Sequence, residues 1–138
     1  MQIVLDTNVL VAGLRSSQGA SSWVLTRLGQ DDRFQINISV PLLLEYEEVL
    51  KRADTCPTLT LEDVDDVLDW ICSVANSREI HFLWRPILSD PTDDMLLELA
   101  IRSRAGRIVT HNVRHFVGEV ERFGIRAITP KEFMKELR

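Results

Sequence analysis

The sequence predicts an α/β fold, a mainly parallel sheet with helices on both faces, formed as a single domain over residues 1–138. Three observations point to it. Short apolar runs such as Ile3-Val4-Leu5 and Arg107-Ile108-Val109-Thr110 alternate along the chain with longer stretches of helical spacing, and strands separated by helices need crossovers, which make neighbouring strands parallel. Second, 138 residues are enough for one buried core and too few for two. Third, hydrophobic residues make up 45% and charged residues 27%, a globular mixture with no repeats, low-complexity tract or linker.

The elements follow in order. Ile3-Val4-Leu5 reads as a strand that stops at Asp6, and a helix follows from about Thr7 to Leu14. Ser16-Ser17-Gln18-Gly19 is a loop by its turn residues. Ala20 to Leu28 has helical spacing through Trp23, Val24 and Leu28, and Phe34, Ile36 and Ile38 alternate as a half-buried strand. Pro41 suits a helix start, and Leu42, Tyr46, Val49, Leu50 and Ala53 then mark one face. Leu61 to Val74 is amphipathic, with Val64, Val67, Leu68 and Ile71 inward and Glu62, Asp63, Asp65, Asp66 and Asp69 forming a solvated face. Ile80-His81-Phe82-Leu83 reads as a strand, Asp93 to Arg104 as a helix, and Arg107 to Thr110 and Ile125 to Ile128 as strands. Pro130 opens a last helix through Phe133, Met134 and Leu137.

Composition excludes several classes. No apolar run approaches the ~20 residues that cross a bilayer, and the N-terminal residues lack the basic flank and cleavage site of a signal peptide. The expected location is the cytosol. Cys56 and Cys72, with no Cys-x-x-Cys spacing, indicate neither disulfides nor zinc and are expected to be buried thiols. The net charge of −5 argues against a nucleic-acid partner, but its distribution is uneven. Residues 1–99 carry 7 basic and 17 acidic side chains, whereas residues 100–138 carry 9 and 4. Thirteen of the sixteen basic residues are Arg, whose planar fork suits phosphate.

In parallel sheets the reacting groups gather beyond the C-terminal ends of the strands. Asp6 ends the first strand, Glu45 lies in the helix after the second, Asp90, Asp93 and Asp94 open a later helix, and Asn112 follows the strand through Thr110. Each has a local alternative: Asp6, Asp93 or Asp94 can cap or charge-match a helix start, and Asn112 can close a turn. Helical spacing narrows the inward acid of the third helix to Glu45 or Glu47 and leaves both open. Carboxylates that converge repel one another, and protons or a cation must offset the repulsion. Oxygen donors without sulfur or a His cluster suit Mg2+ or Mn2+, and such a site serves hydrolysis of a phosphodiester bond.

These residues carry a resemblance. Ile3-Val4-Leu5-Asp6-Thr7-Asn8-Val9-Leu10 resembles the opening of the PIN-domain family, and Asp90-Pro91-Thr92-Asp93-Asp94 through Ala100 is similar to its second acidic block. Ile108-Val109-Thr110-His111-Asn112 looks like the strand bearing its last acidic position. The blocks come in the family's order and span most of the chain. The nearest branch is the prokaryotic one of VapC-like toxins from toxin–antitoxin pairs. The resemblance implies a three-layer α/β/α sandwich and a metal-dependent ribonuclease. An antitoxin encoded beside it and a homodimer or higher homo-oligomer are implied as well.

Residue by residue, the resemblance makes Asp6, Glu45 and Asp93 the catalytic metal-binding carboxylates, with Asp90 and Asn112 in support. It prefers Glu45 to Glu47 and Asp93 to Asp94. Thr7, Asn8, Thr110, His111 and Arg114 fall where substrate would be met. Arg102, Arg104 and Arg107 are further candidates for the RNA backbone. His111 and His115 are expected as surface groups or phosphate contacts, and Trp23, Trp70 and Trp84 as core or subunit contacts. Asn112 departs from the acidic residue many relatives carry and removes one charge, so a non-catalytic PIN scaffold that binds RNA or protein is the alternative.

Two rivals fit less well. A haloacid-dehalogenase phosphatase needs a second Asp two residues after the first, where Asn8 stands. A phosphorylated receiver domain needs a Lys ending a late strand, and no Lys occurs between Lys51 and Lys131.

Overall fold

The computed structural model describes residues 1–80 and 87–138. Five strands, β1 (Gln2–Leu5), β2 (Gln35–Ile38), β3 (Asn76–Ser77), β4 (Arg107–Val109) and β5 (Arg126–Ile128), form one sheet in the order β3-β2-β1-β4-β5. Every pairing is parallel, with Ile3 opposite Ile36, Leu5 opposite Val109, and Val109 opposite Ile128. Six helices connect and cover the strands: α1 (Thr7–Arg15), α2 (Ala20–Arg27), α3 (Val40–Leu50), α4 (Leu61–Val74), α5 (Pro91–Ser103) and α6 (Pro130–Leu137).

The crossovers from β1 to β2 and β2 to β3 step one way along the sheet; those from β3 to β4 and β4 to β5 step the other way. Right-handed connections therefore put α1 to α4 on one face and α5 on the other. The expected α/β/α layering results. The central strands read as unbroken apolar runs because both faces are covered: Ile3, Val4, Leu5, Ile108 and Val109 are at most 2% exposed. Leu96, Leu97 and Leu99 of α5 are fully buried against them, and each such side chain contributes about 1.5–3 kcal/mol.

Helix starts follow local chemistry. Ser39 accepts a hydrogen bond from the Leu42 amide and Pro41 lies in the first turn of α3. Thr60 and Asp63 form a reciprocal capping box at α4. Asp90 accepts from the Thr92 amide at α5, and Thr129 from Glu132 at α6.

One expectation is corrected, and one strand was not foreseen. The unforeseen strand is Asn76–Ser77; of the expected strand Ile80–Leu83, Ile80 is outside any strand, while residues 81–83, like Trp84, lie outside the described residues. A ladder of amides holds this polar strand. The Asn76 side chain donates to Gln2 and Gln35 at 3.0 Å each, and buried Asn37 donates to Gln2 at 2.8 Å. No apolar alternation marks such a strand. Cys56 is buried as expected, but Cys72 is exposed on α4.

Candidate active site

The order of the sheet reverses between β1 and β4, neighbours whose onward connections leave in opposite directions. A crevice opens beyond the C-terminal ends of strands at such a point. Asp6 follows β1, and Thr110 follows β4 across the same gap. The Thr110 hydroxyl donates to Asp6 Oδ2 at 2.8 Å, and the Asn8 amide donates to the same oxygen at 3.3 Å. Asn8 Oδ1 in turn accepts from the His111 amide at 3.2 Å, and Thr110 Oγ1 from the Asn112 amide at 3.0 Å. Asp6 occupies the N-cap position of α1, yet its side chain makes no capping hydrogen bond. Its carboxylate is directed across the crevice instead.

Above it lies a cavity of about 630 Å3 lined by Asp6, Thr7, Asn8, Val11, Ala12, Arg15, Glu45, Val49, Thr55, Asp90, Thr92, Asp93, Asn112 and His115. Four of these are acids, drawn from three separate stretches of chain. Tyr46 fixes one wall: its fully buried hydroxyl donates to the Leu5 carbonyl at 2.6 Å and pins α3 beside the end of β1. That anchorage leaves Glu45 in the cavity, while Glu47 pairs with Lys51 at 3.2 Å. Of the two acids, Glu45 lines this cavity and Glu47 does not.

The adjacent acids of α5 divide in the same way. Asp93 is 7% exposed, lines the cavity and meets His115 Nδ1 at 3.2 Å. Asp94 turns away and accepts the backbone amides of Ile87 and Leu88 at 3.1 and 2.8 Å. Asp90 does both things, capping α5 and lining the cavity.

Burial and mutual repulsion act on the acids together. Burial pushes the Asp6 carboxyl above its ordinary value, against the opposing pull of Thr110, the Thr7 and Asn8 amides and His115. Burial raises Asp93 as well, helped by Asp90 and Asp6 and opposed by His115. Glu45 is raised by burial first, then by Glu48, with Asp6 and Asp90 adding and Arg52 opposing. Anionic carboxylates in this cavity are therefore unfavourable without a counter-charge.

The donor set fits a hard divalent cation. Asp6, Glu45, Asp90, Asp93 and Asn112 offer oxygens and no sulfur. Thr7 Oγ1 at the same wall is buried with no hydrogen-bond partner among the described residues. Among the described residues no group of three or more acidic, His or Cys side chains lies close enough together to hold a metal ion by itself. An ion here would keep water in part of its coordination shell, as Mg2+ prefers.

Not every expected site residue reaches the cavity. Asp6, Glu45, Asp90, Asp93, Asn112, Thr7 and Asn8 line it, and Thr110 is buried beneath, holding Asp6. The His111 ring meets Ser21 Oγ at 3.0 Å instead, and Arg114 is exposed outside the lining. Arg107 starts β4, and Arg102 and Arg104 end α5, so all three sit at the opposite end of the sheet. Arg107 there pairs with Glu136 at 3.0 Å.

Arg15 lines the cavity without having been singled out for it, and His115, expected as a surface group or phosphate contact, lines it too. His115 belongs to a 3-10 turn, Val113–His115, which has no long periodic pattern. Arg15 was legible in principle, since Asn8, Val11, Ala12 and Arg15 recur at three- and four-residue steps on one face of α1.

The fold and site together define a parallel α/β domain with an acidic cavity at the switch point of its sheet. The family profile of the PIN domain matches residues 2–114. The chain belongs to the PIN domain family. No curated protein matches it. Among solved structures it is similar to a chain in VapBC2 from Rickettsia felis bound to a DNA fragment from their promoter, at 19% identity and a TM-score of 0.59 over 92% of this chain and 97% of that one. It is likewise similar to a chain in VapBC-1 from nontypeable Haemophilus influenzae, at 13% identity and a TM-score of 0.61 over 95% and 99%. At these identities the likeness is one of fold.

Proposed function

We propose that this PIN domain hydrolyses RNA phosphodiester bonds with Mg2+ or Mn2+ and is the VapC-like toxin of a toxin–antitoxin pair. The observation that carries the reading is that Asp6, Glu45, Asp90 and Asp93, from three stretches of chain, all line one cavity at the sheet's switch point. Asp6, Glu45 and Asp93 would hold the cation, with Asp90 and Asn112 at the flank. A divalent ion supplies an activated water and offsets negative charge on the phosphoryl group.

The chain's own contribution is to orient these oxygens. Thr110 and Asn8 hold one oxygen of Asp6 and leave the other for the cavity, and His115 does the same for Asp93. Such supporting contacts tune affinity by about 10–100-fold in metal sites. Family membership and the fold shared with VapBC chains support the nuclease and an antitoxin partner. The exposed Val40 and Leu44 of α3, 70% and 58% accessible, offer apolar area for an antitoxin or a second copy. No described helix is long and apolar enough to cross a membrane, and the reading places the protein in the cytosol.

A second reading is a PIN scaffold that binds RNA or protein without cutting. Asn112 at the last acidic position favours it, as does the lack, among the described residues, of three acidic, His or Cys side chains close enough to hold an ion by themselves. Incubation of the purified chain with RNA and Mn2+, then with chelator, separates the two. The expected result is cleavage that chelator stops and that Asp6→Asn abolishes while the variant stays folded. Cleavage by Asp6→Asn at the parental rate would remove Asp6 from the site, and RNA left intact at every metal concentration would leave the scaffold.

A further inference from the structure

The cavity is less uniform than an ion site requires. A cation would engage only the acids and Asn112, whereas Val11, Ala12, Arg15, Val49 and Thr55 line the cavity as well. Most of these lie on α1 and α3, which touch each other. Asp6 and Thr7 stand at the start of α1, and further along the same helix Val11, Ala12 and Arg15 also line the cavity, as do Val49 of α3 and Thr55. Arg15 lies eight residues beyond Thr7, about 12 Å along the helix axis.

Arg15 is exposed, and none of the ion pairs among the described residues engages it. As the last residue of α1 it also favours that helix dipole. That interaction leaves the guanidinium fork open to a phosphate, the group it matches best.

We propose that the part of this cavity formed by Val11, Ala12, Val49, Thr55 and Arg15 is a subsite for one nucleotide of single-stranded RNA flanking the bond to be cut. The inference rests on the nuclease reading above and deepens it. The apolar wall takes the face of a splayed base, which single-stranded RNA can present. The Thr55 hydroxyl offers a polar contact at the base edge. Arg15 takes the backbone phosphate and keeps the strand from being repelled by the acids. The cavity thus separates two tasks: carboxylates for the reaction, and an apolar and cationic part for the strand.

The test is fluorescence anisotropy with a 5′-fluorescein-labelled single-stranded RNA oligonucleotide, over a salt series, for wild type, Arg15→Gln, Arg15→Lys and Ala12→Phe. Cleavage kinetics are read on the same proteins. Arg15→Gln is expected to weaken binding at least several-fold and to reduce the salt slope by about 0.7, the contribution of one phosphate contact on a single strand. Arg15→Lys recovers the slope and part of the affinity. Ala12→Phe fills the apolar shelf and weakens binding with the slope unchanged. In kinetics Arg15→Gln raises KM and leaves kcat near the parental value. If wild type binds and cuts the RNA while Arg15→Gln and Ala12→Phe match its affinity, slope and KM, no nucleotide sits there and the nuclease reading stands. If wild type neither binds nor cuts the RNA, both fall together.

Discussion

At the scale of single residues, one carboxylate shows how the site is made. Asp6 stands at the N-cap position of α1 without a side-chain cap bond, and the Thr110 hydroxyl from the neighbouring strand holds one of its oxygens. The sequence allowed both roles because an N-cap and a strand-end ligand occupy the same position. Asn112 poses a different question. It lines the cavity with a neutral amide where a carboxylate would add charge. Asn112→Asp is expected to strengthen Mn2+ binding several-fold, measured by calorimetric titration, because a carboxylate is the harder and charged ligand. An unchanged dissociation constant would mean that this side chain takes no part in holding the ion. Glu45 against Glu47 was beyond residue-level reasoning, since both flank the buried face. What sets which of them lines the cavity is Tyr46, whose bond to the Leu5 carbonyl fixes the roll of α3.

At the scale of elements, most of the fold was legible. α4 runs from Leu61 to Val74 as its apolar spacing and capping residues require, and α1, α5 and α6 begin within two residues of their expected starts. These helices carry apolar faces, and α4, α5 and α6 have side-chain caps as well, so local signals agree with tertiary ones. β3 was illegible for the opposite reason: its Asn76 is held by the side-chain amides of Gln2 on β1 and Gln35 on β2. The start of α5 separates structure from chemistry between adjacent acids. Asp94 binds two backbone amides, and Asp93 faces the cavity. Asp94→Ala is therefore expected to cost about 1–3 kcal/mol of stability, the penalty for stranding such partners. It should leave Mn2+ affinity close to wild type, whereas Asp93→Asn should reverse that pattern. Denaturant unfolding and calorimetry on both variants check this, and equal losses of metal binding would contradict the division.

At the scale of the whole molecule, a fold that gathers buried acids at one edge carries a stability cost that depends on pH. Asp6, Asp93 and Glu45 all have carboxyl pKa values raised by folding. An acid raised in this way binds its proton more tightly folded than unfolded. Its stabilising contribution is complete at pH below the unfolded value, 3.8 for Asp and 4.5 for Glu, and is lost as pH rises through the higher folded value. In chelator, these groups make the protein less stable at neutral pH than at mildly acidic pH. A cation held by the same carboxylates removes that loss, because binding to the native state alone stabilises it by about 2.7 kcal/mol at a hundredfold excess over Kd. The most direct measurement is thermal unfolding at pH 7 in chelator and in excess Mn2+. The expected result is a midpoint that Mn2+ raises. Midpoints that Mn2+ leaves unmoved at pH 7 would contradict a shared cation among Asp6, Glu45 and Asp93.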